Sequence, residues 1–404
     1  MASIIRQHAP VPKLGQFNMK ILLLFTLALF SLPSLSQDRV FRLDQFGAIS
    51  NDSKDDSQAI QTALSSLNPG DILVFPAGVY DVCQTLYLTN TEQISLIGSQ
   101  GSVLRKCSDF VGEYLLYIKE AQGMFISGIH FLGLNNGDVN QVWGEQGVYL
   151  ASTSESHLSN NTFENFGDAA LRVTTGANPT DSPSQNAILF ANTFRNCGQV
   201  TTTQATQGSN VPGTQNITFE YNLFQGCTLK LSSRKQVEDA LVFHNTFRNI
   251  SSTALEISYY TNVTVKDNKF DNISGFIMNV FPNTRAEQPV DWGNIDFQHN
   301  DIFDSTMGIR LQSFSANESP TRSVENISIS HNRFSNITCE GTSENKYKKI
   351  IRTYSQNSGY SFKNVNIIGN QYDEGSECDF LSIDTVSGNI KVEENKKTIK
   401  VDGN

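Results

Sequence analysis

Long apolar stretches are nearly missing from this 404-residue chain: after Leu32 no run approaches the roughly 20 residues that a membrane-spanning helix needs. Cysteine is scarce, six in all with no CxxC pair, which argues against a zinc site and against a small fold held by disulfides. A hydrophobic core must therefore hold the fold together. Asn-Gly and Asp-Gly pairs are few, whereas an antiparallel sandwich needs such turns at many of its hairpins. Basic residues are outnumbered, 30 against 40 acidic, for a formal charge of −10. The deficit deepens to −13 once residues 1–36 are set aside, because they hold Arg6, Lys13 and Lys20 and no acid. Such a surface disfavours nucleic acid and membranes as partners, and an anionic ligand is accommodated only where a groove is locally basic.

What is present begins with the apolar segment Ile21–Leu32, preceded by Lys20 and followed by Pro33, Ser34 and Ser36. This is the layout of a secretory signal cleaved near Ser36–Gln37, with Met19 as a natural start. The expectation is a signal peptide over residues 1–36, a single catalytic domain over 37–404, and a secreted or periplasmic monomer.

A repeat sets the architecture. Alternating residues followed by Asn-x-Phe or a close variant recur as HLSNNTF (157–163), ILFANTF (188–194), ITFEYNLF (217–224), LVFHNTF (241–247), VTVKDNKF (263–270), IDFQHNDIF (295–303), ISISHNRF (327–334) and VNIIGNQY (365–372). The asparagines fall at 161, 192, 222, 245, 268, 300, 332 and 370. A unit of about 23 residues with insertions in its turns suits one coil of a parallel β-helix. Alternation marks strands with one buried face. Asn at each corner tolerates left-handed backbone and can bond its stacked copy, while the aromatic two residues on points inward. His244, His299 and His331 directly precede corner asparagines and are expected to stack as a turn ladder. Cys197 and Cys227 sit at matching positions of adjacent coils, as stacked thiols or a disulfide. Asn216, Asn249, Asn272 and Asn336 lie in glycosylation triplets that read mainly as turn chemistry.

Near the N-terminus, residues 46–82 hold an amphipathic helix with Ile60, Ala63, Leu64 and Leu67 on one face, capped by Ser57 or Asp56. It is the natural lid on the open end of a solenoid. Gly47-Ala48, Asp52, Asp55-Asp56, the AIQ at 59–61 and the FPAGVY at 75–80 resemble the opening signature of the pectate-lyase-like superfamily. That resemblance implies an all-β fold, a single-stranded right-handed parallel β-helix with an N-terminal capping helix. The superfamily includes lyases, hydrolases, epimerases and viral tail spikes, so activity must be argued from the site.

After each corner another strand begins: GVYLA (147–151), ALRVT (170–174), TLKLS (228–232), ALEIS (254–258), IMNVF (277–281) and GIRLQ (308–312). Two residues flank a central one and face the core, so the central residue faces outward. The outward column is therefore Tyr149, Arg172, Lys230, Glu256, Asn279 and Arg310, with Thr201 from the intervening coil and Arg352 continuing it. Arg172 and Arg310 suit bidentate carboxylate binding. Such cations stabilise the enolate-like intermediate formed when a uronate loses the proton beside its carboxylate. Lys230 is the candidate base and Tyr149 the candidate acid; because Glu256 beside Lys230 favours its charged form and makes it a poorer base, Tyr149, whose pKa Arg172 would lower, is the alternative base. Glu256, Asn279, Thr201 and Arg352 are substrate-binding candidates.

The hydrolase motifs of this superfamily (Asn-Thr-Asp, Asp-Asp, Gly-His-Gly) are absent from these strands, as is the Asp-Pro-His of alginate epimerases. No acidic cluster suggests calcium, so no metal or cofactor is expected. The remaining set resembles that of metal-independent β-helix alginate lyases. The reading is a lyase cleaving an anionic polysaccharide of uronic acids, with a hydrolase or epimerase, or a non-catalytic glycan-binding β-helix, as the alternatives.

Overall fold

The computed structural model describes residues 39–398 apart from 136–143, 177–180, 204–213, 283–290, 314–321, 340–347, 356–359, 374–377 and 384–388. The proposed signal, residues 1–36, lies outside them. Among the described residues no helix is long and apolar enough to cross a membrane.

The strands pair in parallel, each with its counterpart one coil further on. Parallel pairing through such crossovers winds into a right-handed coil, and the chain forms a single-stranded right-handed parallel β-helix. Each coil contributes a strand before the corner, a short strand after it, and a third carrying the outer column. The coils from Leu158 to Ile367 follow the repeat seen in the sequence, with Leu158, Leu189, Phe219, Val242, Val265, Phe297, Ile329 and Ile367 all fully buried.

The corner asparagines form a continuous internal ladder. Asn245 shows the pattern: its Nδ2 donates to Asn268 Oδ1 (3.0 Å) and to the Phe219 carbonyl (2.9 Å). Its Oδ1 in turn accepts the Asn222 backbone N–H at 2.8 Å. Amide side chains thus satisfy the backbone groups that the corner removes from the strands, which a buried turn requires. The ladder runs on to Asn395, which accepts from Asn370 at 2.9 Å. One expectation needs correcting. The left-handed residue is not the asparagine but the one before it: Asn160, Ala191, Tyr221, His244, Asp267, His299 and His331 have φ between 52° and 55°. Asn, Asp and His tolerate that conformation better than most residues, which accounts for the histidines there. His299 and His331 stack at 5.2 Å, while His244 stacks on Tyr221 at 4.9 Å.

Two residues past the asparagines, Phe163, Phe194, Phe224, Phe247 and Phe270 form an unbroken inward stack, which Phe131 extends by one coil, with centroid spacings of 4.6–5.1 Å. The next coil departs from it, because Ile302 rather than Phe303 takes the register position facing Phe270 and Phe334. Phe303 points outward beneath the Lys269 ammonium, 4.6 Å from its ring.

The capping helix spans Ser57–Ser65 and buries Ile60, Ala63 and Leu64; Leu67 lies beyond its end and is only partly buried. Asp56 occupies the N-cap position, but its carboxylate accepts the Ile49 N–H instead (2.9 Å), and Asp55 receives the Ser57 N–H (2.9 Å). Cys197 and Cys227 are joined as a disulfide, as are Cys83 with Cys107 and Cys339 with Cys378. The triplet asparagines Asn216 and Asn272 use their Nδ2 atoms in exposed ladders with Asn186 and Asn249, both at 2.8 Å, consistent with turn chemistry.

Candidate active site along the outer face

Strand register brings the expected column together residue for residue. Arg172 lies beside Tyr149 on one side and Thr201 on the other. The series continues through Lys230, Glu256, Asn279, Arg310 and Arg352. The flanking residues Leu171, Val173, Leu229, Leu231, Leu255, Ile257, Ile309 and Leu311 are at most 1% exposed. Pleating then turns the intervening side chains to the other face.

The column is less open than the alternation alone suggests. The side chains of Arg172, Lys230 and Glu256 keep 14%, 24% and 21% of their surface exposed. Tyr149, Thr201, Asn279 and Arg352, by contrast, are buried. Simple alternation says which face a residue occupies and nothing about what else covers that face. Thr201 carries a buried hydroxyl without a hydrogen-bond partner among the described residues. It stands between Arg172 and Lys230, where one strand step on either side separates the two cations by roughly 10 Å.

Arg172 is locked in place. Its Nε donates to Gln146 Oε1 at 2.9 Å, and its Nη2 lies 3.5 Å from Asp168 Oδ1. Asp168, itself buried, also accepts from Gln199 Nε2 at 2.9 Å. Sequence reasoning missed this support. Its signal is the Gly167-Asp168 and Gly198-Gln199 pairs one coil apart: a Cβ on Gly198 would stand 2.5 Å from the carbonyl oxygens of Gly167 and Asp168. Glycine is needed for that approach.

Lys230 Nζ lies 3.5 Å from Glu256 Oε2. The two border a depression of about 230 Å³ with Cys197, Gly198, Gly226 and Thr228. Arg310 donates to Asn279 Oδ1 at 2.9 Å and lies over the Phe276 ring at 4.2 Å. Tyr149 is the candidate acid and the alternative base. Burial pushes its phenol up to about 12, outweighing the opposite pull of Arg172. It therefore remains protonated at neutral pH, suited to donating a proton and not to removing one.

The sequence matches the family model described as rhamnogalacturonase A/epimerase, pectate lyase-like, over residues 40–278. The chain belongs to this pectate-lyase-like family. No curated protein matches it in sequence. Among solved structures it is similar to PfbA, a surface adhesin of Streptococcus pneumoniae, with a TM-score of 0.64 and 14% identity over 89% of this chain and 90% of that one. It is also similar to the catalytic unit of a thermostable alpha-1,3-glucanase from Streptomyces thermodiastaticus (TM-score 0.59, 13% identity, 89% of this chain and 69% of that one). An endo-xylogalacturonan hydrolase from Aspergillus tubingensis gives a TM-score of 0.53 at 13% identity, covering 89% and 93%. At such identities the likeness establishes the β-helix alone. An adhesin and hydrolases thus share this scaffold, and none of these comparisons singles out alginate lyases.

Proposed function

We propose that the chain is an extracellular polysaccharide lyase that cleaves a uronic-acid polymer by β-elimination along the outer column. The observation that carries this reading is a series of cationic side chains in strand register that begins beside Tyr149, with Glu256 the only carboxylate at the column positions from Tyr149 to Arg352. Glycoside hydrolysis ordinarily uses a pair of carboxyl groups. The second nearby carboxylate, Asp168, is buried and engaged with Arg172 and Gln199.

In this reading Arg172, held flat by Gln146 and Asp168, pairs with the uronate carboxylate and stabilises the charge that spreads into it. Lys230 acts as its neutral amine and takes the proton from the carbon bearing that carboxylate, and Glu256, 3.5 Å away, stabilises the ammonium formed. The electron pair forms the new double bond as the glycosidic oxygen leaves, and Tyr149 supplies that oxygen with its proton. Thr201, buried with its hydroxyl unpartnered among the described residues, backs the face between Arg172 and Lys230. Arg310 extends the binding face, oriented by Asn279, which accepts its Nε–H at 2.9 Å, and the buried Arg352 adds positive charge one coil further on.

The test is to incubate the chain lacking residues 1–36 with alginate, pectate and glycosaminoglycans, following ultraviolet absorbance of the unsaturated uronate and, in parallel, new reducing ends. Absorbance that disappears in Lys230→Ala and Arg172→Ala supports the reading. Reducing ends without absorbance make it a hydrolase, and binding without either makes it a glycan-binding protein.

A further inference from the structure

Toward its N-terminal end the outer column changes character. Counting back from Arg172, the register runs Tyr149, Tyr117, Tyr87. Tyr114 fills in beside them, its ring 4.6 Å from Tyr149 and 5.3 Å from Tyr117. Tyr117 stacks on Tyr149 at 5.4 Å, and Tyr87 meets Tyr117 edge-on at 5.8 Å. The four rings make one continuous surface that opens from buried Tyr149 to Tyr87, which is 52% exposed. Tyr87 fills no core, yet it extends the same register by a further coil.

The charges around this surface are the reverse of those further along. Lys119, two residues beyond Tyr117 and so on the same face, is taken up by Glu120 at 3.1 Å and Asp181 at 3.3 Å. Glu113 bears on both Tyr114 and Tyr149. A ligand carboxylate placed here would meet carboxylates of its own sign, with the Lys119 ammonium already engaged by two of them. An uncharged sugar ring meets no such penalty, and its C–H face packs on an aromatic face as apolar surface does.

We propose that Tyr87, Tyr114 and Tyr117, backed by the buried Tyr149, form a stacking subsite for an uncharged pyranose ring, contiguous with the cationic stretch but chemically distinct from it. The inference rests on the reading above, that the outer face holds a polysaccharide, and adds what its tyrosine end selects. Three strand steps separate Tyr87 from Arg172, roughly 14 Å. A ligand engaging both ends is therefore an oligosaccharide and not a single sugar.

Calorimetric titration of the chain lacking residues 1–36 with two probe sets tests this: neutral pyranose oligosaccharides (gluco-, galacto- and xylo-series), and mannuronate and galacturonate oligomers, each at low and high salt. At least one neutral series is expected to bind with little salt dependence. Tyr87→Ala should weaken that binding about five- to tenfold, the worth of one aromatic contact, while Tyr87→Trp retains it and Arg172→Ala leaves it unchanged. Retained circular dichroism in Tyr87→Ala, together with binding by Tyr87→Trp, guards against a folding artefact. The subsite is overturned if no neutral series binds, or if Tyr87→Ala binds as the parent does. A protein that binds neutral probes through Tyr87 but neither binds nor cleaves uronates keeps the subsite and loses the lyase reading.

Discussion

The inner corner and the outer face of this solenoid are built from the same coils by opposite rules. At the corner each coil repeats its neighbour: asparagine on asparagine at 2.9–3.1 Å, phenylalanine on phenylalanine at about 5 Å. On the outer face no two successive residues from Tyr149 to Arg310 are alike, and the column passes from aromatic to cationic. Repetition is what a stack needs, because each coil is buried only by its neighbours. Departure from repetition needs another cause, and ligand chemistry supplies one. The comparison therefore predicts that inner substitutions damage folding and outer ones damage binding or turnover.

The largest effect should come from inside. Phe247 is fully buried between Phe224 and Phe270, 4.6 and 4.7 Å away. Phe247→Ala leaves a cavity that costs about 3–5 kcal/mol, to be read as a lower midpoint of thermal unfolding. A harmless Phe247→Ala would remove the distinction altogether. Next, Arg172→Ala should lower turnover about 100- to 1,000-fold, as the loss of one preorganised charge-stabilising group does. Its unfolding midpoint should move far less than that of Phe247→Ala. Initial rates and melting curves on the same two proteins set the contrast.

A smaller effect sharpens the comparison at an exception. Lys106 is an ionisable residue only 3% exposed, its Nζ donating to the Glu113 carbonyl at 2.9 Å beside the Phe110 ring. Burial pulls its pKa down to about 8. The folded state therefore holds fewer protons than the unfolded one between that value and the usual lysine range. Stability should rise with pH across this window and be reduced by a constant amount below it. Lys106→Met should abolish the rise and stabilise the protein at neutral pH by ~2 kcal/mol, allowing for the lost hydrogen bond. Denaturant melts at several pH values would show it, and an unchanged pH slope would refute it. The smallest effect belongs to Glu256→Gln, on the outer face with 21% of its side chain exposed. Its cost to stability should stay under about 1 kcal/mol, while the pH profile of turnover shifts because the Lys230 partner is neutralised.

The same division explains what could be read from sequence. Asn161 through Asn370 announce the coil because the ladder demands the same side chain each time, and the strand period then assigns Tyr149, Arg172, Lys230, Glu256, Asn279 and Arg310 to one column. Register was legible for that reason. Exposure was not: Thr201 and Arg352 are buried although alternation places them outward, since period reports direction and not cover. Asp168 and Gln199 escaped notice because they sit beside a bulge, where the register between their strands slips and the two-residue rhythm fails. Tyr87 and Tyr117 were missed because the Asn-x-Phe motif that flags each coil begins only at Asn161, after their strands. The sign of the Tyr149 shift turned on burial against a neighbouring charge, a contest that no sequence spacing decides.

The three disulfides join residues 24, 30 and 39 positions apart, and each ties one coil to the next, never two distant parts of the molecule. In a spring-like molecule whose turns touch only their neighbours, failure under heat or force proceeds by peeling from a free end. Cys83–Cys107 and Cys339–Cys378 rivet turns near the two ends, and Cys197–Cys227 rivets one beside the Lys230 depression. Peeling from either side must therefore stall before it reaches the working face. In a reducing compartment these stops vanish while every strand pairing remains, so reduction should first show itself as greater susceptibility to proteases at the ends, with the middle coils still intact.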